Sequence, residues 1–175
     1  MDTATTGQDG AAEAPGYEGA YIAHLWEQPN LCVAIFGVQF HTEEGQRRYE
    51  AAGITEEVMP ALAAAAAEGH LLTRQLAEGN GGILLQYWRS YADLDRWART
   101  LPHMRWWRWL LQNAGPDLSF YHEIYQIQAA EAIYEKGCRP VGPAVFVGTS
   151  TVSPGEGRSK ERQARFAAAA GGAPA

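Results

Sequence analysis

Apolar and polar positions along this chain switch between two periods, and the switches mark its elements. Residues 31–41, LCVAIFGVQFH, are rich in β-branched and aromatic side chains and predict a strand. Its two faces carry Leu31, Val33, Ile35, Gly37 and Gln39 on one side and Cys32, Ala34, Phe36, Val38 and Phe40 on the other. Residues 54–68, ITEEVMPALAAAAAE, open with acidic side chains suited to the positive end of a helix dipole and continue in strong helix formers. Pro60 would fit at the first position of a helix starting near Met59. A second strand is expected over 69–79, a turn at the Asn-Gly-Gly of 80–82, and a third strand over 82–90.

From Tyr91 to Asn113 the period lengthens again. Leu94, Trp97, Ala98 and Leu101 recur at helical spacing, and Pro102 forces a kink or restart that leaves His103 in the first turn of a new segment. Gly115-Pro116-Asp117 ends that helix, and 118–127 reads as a fourth strand. The order strand–helix–strand, strand–helix–strand is that of an α+β ferredoxin-like unit, an antiparallel four-stranded sheet with helices on one face. Several strands are apolar on both faces, so the second sheet face needs a cover, and pairing of two such faces predicts a homodimer.

The ends differ from this middle. Residues 1–16 are small, acidic and polar and read as a disordered tail. Residues 153–175 read as a low-complexity tail with about one turn of helix near 162–169, which leaves 17–152 as the working domain. The chain has 175 residues and a net charge of −6, which argues against nucleic acid or an anionic membrane as partner. Cys32 and Cys138 stand far apart in no metal-binding or redox spacing. The start lacks a basic segment and an apolar core, and no run is long enough for a membrane span, so a cytoplasmic location is expected. Phosphate loops, dinucleotide fingerprints and serine-hydrolase elbows are absent from the sequence.

Candidate chemistry is concentrated between 87 and 134, where five of the six tryptophans and two of the five histidines fall. His103, with Trp106 and Trp107 close by, is the candidate metal ligand, since neutral imidazole suits iron and flat apolar walls suit a planar group. A capping or partly buried histidine is the alternative. His122 shares a strand face with Phe120, Ile124 and Gln126, and is the candidate catalytic acid–base group. Arg89 could bind an anionic substituent through its guanidinium fork, and either Trp88 or Tyr87 should line the pocket. Ser90 is read as the cap of the following helix, and Glu123 as a buried partner of an arginine such as Arg89.

These residues also carry a resemblance. Tyr87-Trp88-Arg89-Ser90, His103 with Trp107, His122-Glu123-Ile124-Tyr125, and Ile133-Tyr134 through Pro140 resemble a group of monooxygenase-like proteins with the dimeric α/β barrel fold. The chain departs from that group's pattern at Phe120-Tyr121 and at Lys136-Gly137-Cys138. The superfamily is similar in layout to heme-degrading monooxygenases, chlorite dismutase-like enzymes and aldoxime dehydratases, in which a helix histidine commonly holds heme iron. It also contains cofactor-free oxygenases of electron-rich aromatic compounds. The resemblance implies a homodimeric, heme-binding enzyme performing oxidative, N–O or N–N chemistry on a small organic substrate. His103 would ligate the iron, Trp88, Arg89, Trp106 and Trp107 would contact the cofactor, and His122 would be catalytic. A cofactor-independent monooxygenase and a non-catalytic ligand carrier are the alternatives.

Overall fold

A computed structural model describes residues 16–152 and 159–171. The central sheet holds β2 (Cys32–Phe40), β3 (His70–Glu78), β4 (Gly81–Trp88) and β5 (Leu118–Gln126), entered after a short β1 (Tyr21–Ala23). The order across the sheet is β3-β4-β2-β5, antiparallel throughout, as the alternating strand and helix periods predict. Its helices are α1 (Glu43–Ala51), α2 (Ile54–Ala64), α3 (Tyr91–Ala98) and α4 (His103–Asn113). The fold is therefore the expected α+β, ferredoxin-like arrangement.

The core lies between this sheet and these helices. Cys32, Ala34 and Val38 of β2 and Trp88 of β4 meet Ile54, Val58 and Leu62 of α2, Leu94 and Trp97 of α3, and Trp106 and Leu110 of α4. The opposite face carries Val33, Ile35 and Gly37 of β2 beside Leu85 and Ile83 of β4 and Tyr121 and Glu123 of β5. At Gly37 a Cβ would sit 2.2 Å from the Tyr121 ring, so only glycine lets that ring lie across the strand.

Two helices depart from expectation. α1 has no apolar period to announce it, because only Gly45 and Tyr49 are buried. It forms behind an N-cap, with the Thr42 hydroxyl accepting from the Gly45 amide at 3.2 Å and donating to Asp117 at 2.9 Å. α2 starts at Ile54 and encloses Pro60 rather than beginning at it. Burial of Ile54, Val58 and Leu62 along one face offsets the hydrogen bond that the proline removes. The break at Pro102 falls where the sequence places it, and the Leu101–Pro102 peptide is cis.

Two more strands, β6 (Ile133–Tyr134) and β7 (Thr149–Thr151), flank β1 in a small antiparallel sheet of order β6-β1-β7. A final helix, α5 (Ser159–Ala169), corrects the expectation of a tail over that part of the chain. It is eleven residues long, with Phe166 fully buried against Leu25 and Leu31 and Arg162 bonded to Glu131 at 2.8 Å. The alanines around it hid the signal: two anchoring side chains four residues apart hold the helix down, too few to register as an apolar period. The expected disorder of 1–16 falls almost wholly outside the described residues.

Candidate functional site

α4 and the helix-facing row of β5 enclose an aromatic slot of about 90 Å³. Four of the residues singled out from the sequence line it: His103, Trp106, Trp107 and His122. Pro102 supplies the restart that brings His103 here. The Nδ1 of His103 lies 2.8 Å from the carbonyl oxygen of Ala98, so that nitrogen carries the proton and donates it. Nε2 is left with its lone pair. Burial pushes the His103 pKa below the ordinary histidine value, and charge on His122 would push it the same way. The imidazole is thus neutral at physiological pH and held in one tautomer.

His122 differs. It stands in the exposed half of β5, with its ring 5.7 Å from Trp107 in an edge-on contact. The walls behind it lower its pKa by desolvation. Trp107 lies between the two imidazoles, nearly parallel to His103 at 6.3 Å. Trp106 is fixed by an indole N–H donated to Glu57 at 3.0 Å, and Arg105 pairs with the same carboxylate.

Trp88 and Arg89 do not join them. Trp88 is fully buried behind Trp97, 5.2 Å between ring centroids, and is not part of the slot wall. Its indole N–H donates to Oε1 of Gln86 at 3.0 Å. Gln86 does line the slot, and this bond fixes its amide so that the Nε2 protons have no partner among the described residues. Arg89 is engaged by Asp93 through Nε at 2.9 Å and a terminal nitrogen at 3.1 Å. Ser90 caps α3 as expected, accepting from the Asp93 amide at 3.1 Å. The Arg89 bonds, foremost, and those from Ser90 and Arg96 pull the Asp93 carboxyl down to about 2. Glu123, on the open sheet face, accepts from the Tyr125 hydroxyl at 2.8 Å instead of meeting an arginine.

Several lining residues escaped the sequence reading. Tyr49 comes from the unannounced α1, and Leu84 and Gln86 come from a strand whose inner face could not be told from its outer one. Tyr91 was legible only as a helix start. Among the described residues no three histidine, cysteine, aspartate or glutamate side chains gather into a metal-binding group.

The site is thus an aromatic slot lined by two imidazoles, beneath the helices of a ferredoxin-like sheet. The chain belongs to the family described as monooxygenase af470-like, whose model matches residues 31–142. Over 94% of its length it is similar to an aldoxime dehydratase, at 22% identity and a TM-score of 0.55, and it spans 48% of that longer protein. Weaker likenesses include a mutant of SnoaB, a cofactor-independent oxygenase from Streptomyces nogalater (11% identity, TM-score 0.41, 58% of this chain and 96% of that one). A putative antibiotic biosynthesis monooxygenase from Nitrosomonas europaea has a TM-score of 0.41 at 12% identity, over 56% of this chain and 90% of that one. At these identities the likenesses concern the fold. No curated protein matches.

Proposed function

We propose that this protein is a cofactor-independent monooxygenase that oxidises an electron-rich, flat organic substrate at the slot between α4 and β5. The observation that supports it is the state of His103: neutral, apolar on its walls, with Nδ1 tied to Ala98 and Nε2 left as a proton acceptor. In this reading Nε2 removes a proton from an activated CH₂ of the substrate. The resulting carbanion passes an electron to dioxygen and combines with the reduced oxygen as a carbon-bound peroxide. The Nε2 protons of Gln86 stabilise the charge on the peroxide oxygen. Loss of a second C–H proton breaks the O–O bond, leaving a carbonyl on the substrate and one molecule of water. His122, exposed on β5 and without a hydrogen bond to any described residue, exchanges these protons with water. The base is thus assigned to His103 rather than to His122. Two copies would pair through the open sheet face of Val33, Ile35 and Leu85, the arrangement the apolar pattern calls for.

Heme is the second reading, and the same His103 favours it, because a ligating imidazole characteristically donates its other N–H to a backbone carbonyl. The donor suits iron; the room does not suit a porphyrin. About 90 Å³ is well below the several hundred cubic ångströms of pockets that hold large flat ligands, and Arg89, expected to bind a heme carboxylate, is committed to Asp93. The slot accommodates dioxygen and the reacting edge of a substrate.

The deciding experiment is the visible spectrum of protein from heme-supplemented cells, with oxygen uptake measured on a panel of anthrones and related aromatic ketones that carry an activated CH₂. A colourless protein that consumes oxygen, and whose His103→Ala variant loses about 10²–10⁴-fold in turnover, is expected. A Soret band that disappears in His103→Ala would overturn the cofactor-free reading in favour of heme. A colourless protein with no turnover on any compound would leave the carrier role.

A further inference from the structure

A second and larger hollow, about 1020 Å³, lies between α5, the 29–31 loop, the start of α3 and the end of β5. Tyr91 lines both this groove and the slot. β5 also runs from one to the other: His122 and Ile124 face the slot, and Gln126, next on the same face, faces the groove. Gln126 lies four positions beyond His122 along the strand, roughly 13 Å of continuous floor.

The groove has a chemistry of its own. α5 turns Arg162 and Phe166 to the core and presents Lys160, Gln163, Ala164 and Ala167 to the hollow. Small alanines leave space there, while the amides of Asn30, Gln126 and Gln128 offer paired donors and acceptors, and Gln163, whose Nε2 donates to Ser159 at 3.0 Å, adds its carbonyl oxygen. Among the described residues no carboxylate lines it and none pairs with Lys160.

We propose that this groove is the binding site for the substrate's tail, and that the substrate is a flat-headed molecule carrying an extended, amide-bearing chain that ends in an anion. The inference rests on the slot being the place of reaction. The head enters past Tyr91 and Ile124 to reach His103 and His122. The tail lies under α5, its amides matched by the glutamine and asparagine side chains and its anionic end near Lys160. The slot needs to hold only the reacting edge, which reconciles its small volume with a substrate of ordinary size.

Phenylacetylglycylglycine tests this, with phenylacetamide as the head alone and phenylacetylglycylglycinamide as the uncharged tail. Calorimetry on the full chain gives affinities, and protection of His122 from diethyl pyrocarbonate locates the head. The long acid should bind about tenfold or more tighter than phenylacetamide and protect His122. Ala167→Trp, which fills the groove, should abolish that advantage and leave phenylacetamide unchanged. Lys160→Gln, an exposed change that spares the fold, should weaken the acid about threefold and leave the uncharged amide unaffected. Tight binding without protection of His122 would make the groove a separate site and overturn the proposal. If phenylacetamide protects His122 while the long acid binds no better, the groove fails and the slot reading survives. Protection by neither compound would sink both.

Discussion

Asp93→Asn tests whether Arg89 serves the fold rather than a ligand. The Asp93 side chain is 9% exposed and accepts from Arg89, Ser90 and Arg96 at the first turn of α3. Its pKa falls from 3.8 to about 2, chiefly through the Arg89 bond. Nearly two pH units at about 1.4 kcal/mol each set an upper figure of about 2.5 kcal/mol. The two guanidinium groups are 53% and 60% exposed, so water screens the pairs, and about 1–2 kcal/mol is the expected contribution. The sign follows from the depressed pKa. Protons bind the unfolded chain first as the solution is acidified, so the stabilisation is complete above the unfolded value of 3.8 and is lost as pH falls toward 2. Urea unfolding of wild type and variant, followed by circular dichroism, measures it. At pH 7 the midpoint should drop by about 0.5–1 M, and the gap should narrow on descending through pH 4 toward pH 2. A gap of equal size at both ends, or none at pH 7, would refute the reasoning and free Arg89 for a ligand.

Two further outcomes concern the parts that flank the slot. Phe166→Ala removes a fully buried ring from the contact between α5 and Leu25, a loss of about 3–5 kcal/mol of packing. Because that ring belongs to the smaller cluster, hydrogen exchange should show amides 159–169 losing protection while β2 and β4 keep theirs; equal loss in the sheet would contradict a locally docked helix. Burial raises the Cys32 thiol to about 11, whereas Cys138 is partly exposed. At pH 8 Ellman's reagent should therefore modify one thiol per folded chain, and a second only after denaturant is added. Rapid reaction of both would mean that β2 is open to solvent.

The sequence alone determined the alternation of elements, and with it the sheet. Strand and helix periods in 31–41, 69–90, 91–113 and 118–127 are local properties of the chain, and Pro102 marks its break by removing a hydrogen bond wherever it stands. It also determined that His103, Trp106, Trp107 and His122 belong to one stretch, and their meeting in the slot follows from one helix packing on one strand. What it could not decide was which face of β4 turned inward. A strand apolar on both sides carries no such mark; Gln86 and Trp88 share the face that turned inward, and packing behind Trp97 made the tryptophan the buried brace and left the glutamine as the wall. Arg89 was claimed by an aspartate four residues on, a choice made by helix geometry once Ser90 had capped α3. Tertiary structure alone decided the docking of α5 as well. Phe166 among alanines is anchored by Leu25 and Leu31, more than a hundred residues earlier in the chain, and that long-range contact builds the groove beside the slot.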